Sequence, residues 1–227
     1  MRDDYYLDKL YPLQDEVLSL PALKNSIFYL TGGTALGRHY LNHRYSDDLD
    51  FFTNVQLDFQ KNTEDVLKAL QNKFEVEINS ISQSYVLLSI HKSNVFLKIE
   101  FVKDVPYRNE SPISTLLFIR TDHWNNILSN KISALSREAA KDVADIIMLC
   151  KKFNFRWSDV IYQANMKDIW VNELEVSRRI AEFPPEELRM IKWIDQPEIS
   201  DLVICLKKIS AEILTGTENS LTRATNT

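Results

Sequence analysis

The sequence predicts an α+β protein, with strands and helices in the first half of the chain and helices alone in the second. Between residues 26 and 102, short segments carry apolar residues at alternate positions, which is the pattern of half-buried β-strands. From residue 122 onward the apolar residues recur at helical spacing instead. Pro106 and Pro112 flank the polar loop at which one pattern gives way to the other.

The first half opens with a helical pattern over residues 5–24, in which Pro12 suits a first helical turn. A polar segment at 91–94 lies between two alternating segments and predicts a hairpin. The elements predicted after the first helix are a strand at 26–30, a glycine turn with a short helix, a strand at 48–52, a helix at 57–74, and strands at 74–81, 85–90 and 95–102.

The second half carries apolar stripes from Trp124 to Leu135 and from Val143 to Cys150. Further helices are predicted at 157–170, 174–181, 186–194 and 199–214, separated by prolines. We therefore expect a core at 1–115, a helical domain at 116–215, and a polar, frayed tail at 216–227.

Size and composition are ordinary for a soluble globular protein, with 227 residues, 44% of them hydrophobic. The net charge of −5 gives no overall reason to expect nucleic-acid binding, although local basic clusters could provide it. Cys150 and Cys205 lack metal-ligand spacing and predict buried thiols in a reducing compartment. Because no apolar run is long enough to span a membrane, we expect a cytoplasmic protein with no membrane partner.

Three of the four glycines, Gly32, Gly33 and Gly37, cluster directly after the first predicted strand. Glycine is favoured where the backbone needs unusual dihedral angles or where another group approaches it closely. A helix that begins at such a turn presents unpaired N–H groups, which suit an anion such as phosphate. A simple solvent-exposed turn is the alternative.

The strand that follows carries Asp48 and Asp50, which project to one face because side chains alternate along a strand. Two neighbouring carboxylates repel each other unless a cation lies between them, and Mg²⁺ prefers oxygen ligands of this kind. A phosphate-binding turn followed by a carboxylate pair indicates a metal–nucleotide site.

Gly32-Gly33-Thr34, followed by Arg44-x-Ser46-x-Asp48-Leu49-Asp50, resembles the first motif of the DNA-polymerase-β-like nucleotidyltransferase superfamily. More narrowly, it resembles the AbiEii/AbiGii toxin family of nucleotidyltransferases. The resemblance implies a mixed sheet flanked by helices, an NTP substrate and one or two Mg²⁺ ions. It assigns Gly32, Gly33, Thr34, Arg44 and Ser46 to nucleotide binding, although Arg44 and Ser46 are placed to brace the turn before Asp48.

Glu100 lies on the outer face of the last predicted strand, together with Lys98. A glutamate at such a position is usually solvated. The superfamily takes a third carboxylate from a neighbouring strand. The resemblance therefore implies that Glu100 joins Asp48 and Asp50 as a metal ligand and catalytic residue.

The segment from Lys131 to Asp145 permits two interpretations. On one unbroken helix, Lys131 and Asp142 would lie about 16 Å apart, too far to share a ligand. A break near Ser136, with its side chain as a cap, would bring them together. The pattern resembles later motifs of the same family, which implies that Lys131 meets the nucleotide phosphates and that Asp142 belongs to the catalytic site. Asp145 could equally be structural.

The resemblance spans about residues 25–150 and implies transfer of an NMP to RNA, such as tRNA, or to protein, with RNA slightly preferred. It further implies a toxin of a toxin–antitoxin or phage-defence system with a cognate antitoxin. Basic clusters could bind an RNA backbone, although such charges on helices usually face solvent; they are Lys151-Lys152-Arg156, Arg178-Arg179 and Lys207-Lys208. His39 and His43 are expected at the surface or facing the acceptor. Two other functions stay open, a non-catalytic nucleotide sensor and a metal-dependent nuclease.

Overall fold

The computed structural model describes residues 2–222 of the chain. The chain folds into two compact units. The first comprises the residues up to 40 together with 45–106 and 111–122, and the second comprises 41–44, 107–110 and the residues from 123 onward.

The first unit is built on a mixed five-stranded sheet with the strand order β1-β2-β5-β4-β3. β2 and β5 run parallel, and the other neighbouring strands are antiparallel. The strands are β1 Tyr29–Thr31, β2 Leu49–Thr53, β3 Glu75–Ile81, β4 Tyr85–Lys92 and β5 Val95–Lys103. This confirms the predicted fold class.

Apolar residues cover one face of the central strands. Leu49 and Phe51 on β2, and Ile99 and Phe101 on β5, are almost fully buried. The rings of Phe51 and Phe101 stack, and Phe28 packs against Phe101 at 4.8 Å between ring centroids. Because side chains alternate, this buried face commits the intervening polar residues of both strands to the opposite face.

The β4–β5 hairpin ends in a tight turn at Ser93 and Asn94, whose φ angles of 49° and 64° are both positive. A two-residue turn of this type matches the right-handed twist of the strands, and asparagine tolerates it well. The predicted hairpin is therefore confirmed.

Helices complete the first unit. The first predicted helix is interrupted, and Pro12 lies in the first turn of α2 as expected. The helices are α1 Arg2–Tyr5, a π-helical segment Tyr6–Leu10, α2 Tyr11–Leu18, α3 Pro21–Lys24, α4 Gly32–Ala35, a π-helical segment Leu36–Leu41 and α5 Phe59–Gln71.

The described part of the second unit is helical. Two predicted helices differ from the structure. The helix predicted at 157–170 ends at Asn165, and the segment predicted at 186–194 is a short 3₁₀ helix. The elements are α6 Trp124–Ser133, a 3₁₀ turn Ala134–Arg137, α7 Ala140–Lys152, α8 Trp157–Asn165, α9 Glu173–Glu182, a 3₁₀ helix Pro185–Met190 and α10 Ile199–Thr215.

The prediction of a frayed tail is wrong for residues 216–222. Asn219 is buried, and its side-chain amide donates to the carbonyl oxygens of Cys150 and Phe153, each at 2.7 Å. These bonds satisfy carbonyl groups at the C-terminal end of α7, which a helix leaves unpaired. The remaining tail residues, 223–227, lie outside the described part of the chain.

Two smaller predictions are also tested. Cys150 and Cys205 are both free thiols and both buried, as expected. None of the helices within residues 2–222 is long and apolar enough to cross a membrane.

Candidate active site

The acidic residues of β2 and β5 meet on one face of the sheet. Asp50 and Glu100 are register partners across the parallel pair, and Leu49 pairs with Ile99. Asp48 precedes the paired segment by one residue, which places it beside Lys98 on the neighbouring strand. The two strands therefore bring three carboxylates and one ammonium group onto a single patch.

Lys98 lies among these carboxylates. Its Nζ atom is 2.6 Å from Oε1 of Glu100 and 3.5 Å from Oδ2 of Asp48. Burial lowers the pKa of Lys98, but the hydrogen bond to Glu100 and the charges of Asp48, Glu100 and Asp50 outweigh it and raise the pKa to about 12. The ammonium group is therefore charged at neutral pH and balances part of the acidic charge.

Tyr85, on β4, adds a hydroxyl group to the same patch. Partial burial is the main cause that raises the pKa of Tyr85, and the nearby charge of Glu100 adds to it. The phenol thus stays protonated and lies close enough to Glu100 to be affected by its charge.

Gly32 brings the glycine turn directly against Asp50. Its φ angle is +69°, and a Cβ atom built at this position would lie 2.1 Å from Oδ2 and 3.0 Å from Cγ of Asp50. A side chain here would be strained by the backbone and would displace the carboxylate. The expected link between the turn and the acid pair is therefore a direct contact.

Two threonines fix the turn. Thr31 precedes α4 but does not cap it, because its hydroxyl donates to Asp122 at 2.7 Å. The N–H groups that begin α4 thus keep the capacity to meet an anion. Thr34 is buried and its hydroxyl donates to the main-chain oxygen of Asp48. To contact a phosphate oxygen, Thr34 would have to give up this bond.

The donor set suits a divalent metal, although the side chains do not yet converge on one point. Asp48, Asp50 and Glu100 offer only carboxylate oxygens, the ligands that Mg²⁺ prefers, and a cation already lies between two of them. Within residues 2–222, no three His, Cys, Asp or Glu side chains are arranged tightly enough to hold a metal as they stand. Asp48 and Glu100 both lie against the Lys98 ammonium group.

The helical unit contains a second charged cluster, and it settles the two interpretations of this segment in favour of a break. α6 ends at Ser133 and α7 begins at Ala140, so that Nζ of Lys131 reaches Oδ1 of Asp142 at 2.6 Å. The cap predicted for Ser136 is wrong, because its hydroxyl bonds the carbonyl oxygen of Ser133 instead. The chain reverses through Glu138, whose φ angle is +55°.

Asp145 is the centre of this cluster and is completely buried. Arg44 approaches both of its oxygens, with Nε at 2.7 Å and Nη2 at 2.8 Å, and Nζ of Lys131 lies at 2.7 Å. Burial alone would raise the pKa of Asp145, but Arg44, Lys131 and the hydrogen bond from His43 hold it well below its usual range. For Lys131, the charges of Asp145 and Asp142 outweigh burial and raise its pKa.

His43 is buried at the edge of the cluster, which corrects the expectation that it lies at the surface. Its Nε2 atom is 2.8 Å from Asp145, whereas Nδ1 is buried without a hydrogen-bond partner among the described residues. Burial is the main cause that lowers the pKa of His43. A neutral ring that donates from Nε2 fits both observations. His39 is exposed, as predicted.

Arg44 and Ser46 both have partners within the protein. The guanidinium group of Arg44 donates hydrogen bonds to both oxygens of Asp145. Ser46 is buried, and its main-chain carbonyl oxygen accepts a hydrogen bond from the side chain of Gln14. Their assignment to nucleotide binding remains a prediction.

The sequence interpretation missed Lys98 and Tyr85 as members of the acidic patch. A signal was present for Lys98, because it shares the outer face of its strand with Glu100. No local pattern marks Tyr85, which reaches Glu100 only through the β4–β5 pairing.

The basic pair at 178–179 is not a bare cationic surface. Arg178 bridges Glu175 and Glu182, each at 2.9 Å, and Arg179 lies 3.5 Å from Glu138. These arginines are therefore weaker candidates for an RNA backbone than the sequence suggested.

Residues 16–203 match the family model described as nucleotidyl transferase AbiEii toxin, type IV TA system. Among solved structures, JHP933 from Helicobacter pylori has a TM-score of 0.59 at 19% sequence identity, covering 100% of this chain and 96% of that chain. A putative nucleotidyltransferase from H. pylori gives 0.58 at 20% identity, covering 94% and 96%. MenT4, a nucleotidyltransferase toxin from Mycobacterium tuberculosis H37Rv, gives 0.57 at 16% identity, covering 94% and 85%. At these identities the likeness establishes a common fold. No curated protein sequence gives a significant match.

Proposed function

The chain belongs to the AbiEii family of nucleotidyltransferase toxins of type IV toxin–antitoxin systems, and we propose that it moves an NMP from an NTP to a macromolecular acceptor in the cytoplasm. The observation that carries the proposal is the acidic patch. Asp48, Asp50 and Glu100 come from two strands onto one face, beside a glycine turn whose first residue touches Asp50.

Asp48, Asp50 and Glu100 are the residues that would hold Mg²⁺. When bound, the metal would neutralise the charge that develops on the leaving pyrophosphate. The N–H groups at the start of α4, around Gly33, would bind oxygens of the triphosphate. Binding and orientation of this kind supply most of the catalysis in phosphoryl-group chemistry, because the protein has little covalent work to do.

Proton transfer is assigned to Glu100, which would accept the proton of the attacking hydroxyl group. Asp142 is the weaker candidate, because one of its oxygens binds Lys131 and the other lies 3.2 Å from Arg137. Lys131 is proposed to contact the triphosphate. It would have to keep or exchange its bonds to Asp142 and Asp145 in doing so.

RNA, in particular tRNA, is our preferred acceptor, and a protein side chain is the competing one. The family supplies the further proposal that a cognate antitoxin restrains the activity. A non-catalytic nucleotide sensor would not need a complete set of acids. A nuclease would not need a turn that receives a triphosphate.

One experiment separates these functions. The protein is incubated with Mg²⁺, each of the four α-labelled NTPs, and either total cellular RNA or an RNA-depleted lysate. We expect label to move onto RNA, and this transfer to be lost in Asp48→Asn and Asp50→Asn. Label on protein alone would identify a protein side chain, rather than RNA, as the acceptor. RNA cleavage without label would support a nuclease, and nucleotide binding without either would support a sensor.

A further inference from the structure

We propose that Lys98 is a positioning residue that acts as a resident cation in the acidic patch, so that divalent metal and triphosphate bind together rather than metal first. This inference rests on the proposed function, since it concerns the same three carboxylates.

The position of Lys98 sets its ammonium group against a bound metal. The Lys98 ammonium lies 2.6 Å from Glu100 and 3.5 Å from Asp48, one carboxylate from each strand of the parallel pair. A Mg²⁺ ion bound by those oxygens would lie roughly 2.0–2.1 Å from them. The metal and the ammonium would thus compete for the same oxygens at close range, and they repel each other.

Lys98 also offsets part of the negative charge of the acidic patch. Three carboxylates with no partner would attract any divalent cation in the cell. With Lys98 in place, one of those charges is already matched, and the two strands are held together without metal. Free metal must displace the ammonium, and this displacement weakens its binding.

The Lys98 ammonium group has room to move when a metal displaces it. The side chain of Lys98 is one-third exposed, and its four-carbon stem is flexible, so that the head can turn away from Glu100 while the strand stays fixed. A triphosphate that arrives with the metal offers the displaced ammonium a new anionic partner. Metal and nucleotide therefore favour each other's binding.

The test measures binding rather than turnover. Mn²⁺ is titrated by calorimetry and by the loss of its free electron paramagnetic resonance signal, first alone and then with each of the four α,β-methylene NTP analogues. The variants are Lys98→Gln, Lys98→Arg and Asp50→Asn. The matched control is Lys92→Gln, because Lys92 also pairs with a glutamate, Glu16 at 2.5 Å, at the far end of the β4–β5 hairpin.

We expect wild-type protein to bind Mn²⁺ weakly alone and much more tightly with the analogue. Lys98→Gln should bind Mn²⁺ alone about tenfold more tightly, because the competing ammonium group is gone; tenfold corresponds to about 1.4 kcal/mol. It should also lose most of the synergy between metal and nucleotide. Lys98→Arg keeps the charge and should resemble wild type, and Lys92→Gln should be unchanged.

Each contrary result has a distinct meaning. Equal Mn²⁺ affinity in wild type and Lys98→Gln, with binding lost in Asp50→Asn, would overturn the role of Lys98 and leave the proposed function intact. Retained synergy in Lys98→Gln would overturn the transfer of the ammonium to the triphosphate. Absence of Mn²⁺ binding in every variant, even with nucleotide, would overturn both this inference and the proposed function. A melting curve for each variant shows that it is folded.

Discussion

Replacement of Gly32 by alanine tests the contact on which the proposed site depends. The residue has a φ angle of +69°, and a left-handed conformation costs an alanine about 1–2 kcal/mol. The added Cβ would also meet Oδ2 of Asp50 at 2.1 Å, so the carboxylate must move by about 1 Å or more. A displacement of that size in a catalytic group costs about 100-fold in rate. We expect Gly32→Ala to fold and to lose nearly all transfer activity.

The control is Gly216→Ala. Gly216 also has a positive φ angle, of +60°, but its added Cβ would meet Ser158 at 3.3 Å, within the helical unit. Both variants should therefore lose about 1–2 kcal/mol of stability, or about 2–8 °C in Tm for a chain of this size. Thermal unfolding measures this loss, and transfer of α-labelled NMP measures activity. Only Gly32→Ala should lose activity.

Two results would refute the reasoning. If Gly32→Ala retained full activity, the Asp50 carboxylate would not need the position it has beside the turn. If Gly216→Ala lost activity to the same extent, the loss would reflect backbone strain in general rather than the contact with Asp50.

Three further predictions concern single charged groups. Glu100→Gln should lower the rate of NMP transfer at least 100-fold with little change in Tm. The control Glu77→Gln, at an exposed site on β3, should leave the rate unchanged. Equal rates in the two variants would show that Glu100 is not part of the active site. Lys131→Met should destabilise the protein by about 3–5 kcal/mol in urea unfolding, because it removes the buried ammonium group that pairs with both Asp142 and Asp145. Arg137→Ala, which removes a largely exposed partner, should cost about 1 kcal/mol or less, and similar values for the two would contradict the buried cluster. The pKa of His43 is lowered in the folded state, so the unfolded chain binds a proton at a higher pH than the folded chain does. The free energy of unfolding should therefore fall as the pH drops below about 6.5. In His43→Gln, the free energy of unfolding should depend less on pH between pH 7 and 5.

The sheet was predictable because its pattern is local. A strand that buries one face must alternate, and this requirement revealed β2 and β5 and placed Asp48, Asp50 and Glu100 on their outer faces. The glycine turn was predictable for a similar reason. Gly32 needs a conformation and a closeness of approach that other residues resist, so its residue type reports on its surroundings.

The missed features depend on partners that are distant in the sequence. His43 is buried because Asp145 and Trp193 lie beside it, and nothing in the neighbouring sequence indicates this. Asn219 looks like part of a polar tail, yet it is buried because it satisfies carbonyl groups at the end of α7. Such pairings require the fold to be known before the residue can be interpreted.

The parallel pairing of β2 with β5 has a consequence for the newly made chain. The two strands are separated by the whole of α5, β3 and β4, so their contact closes late compared with the local β3–β4–β5 hairpins. A nascent chain that has not yet released β5 from the ribosome carries Asp50 without its partner strand. Under the proposed function, the set of metal-binding acids is therefore incomplete until β5 has left the ribosome and paired with β2.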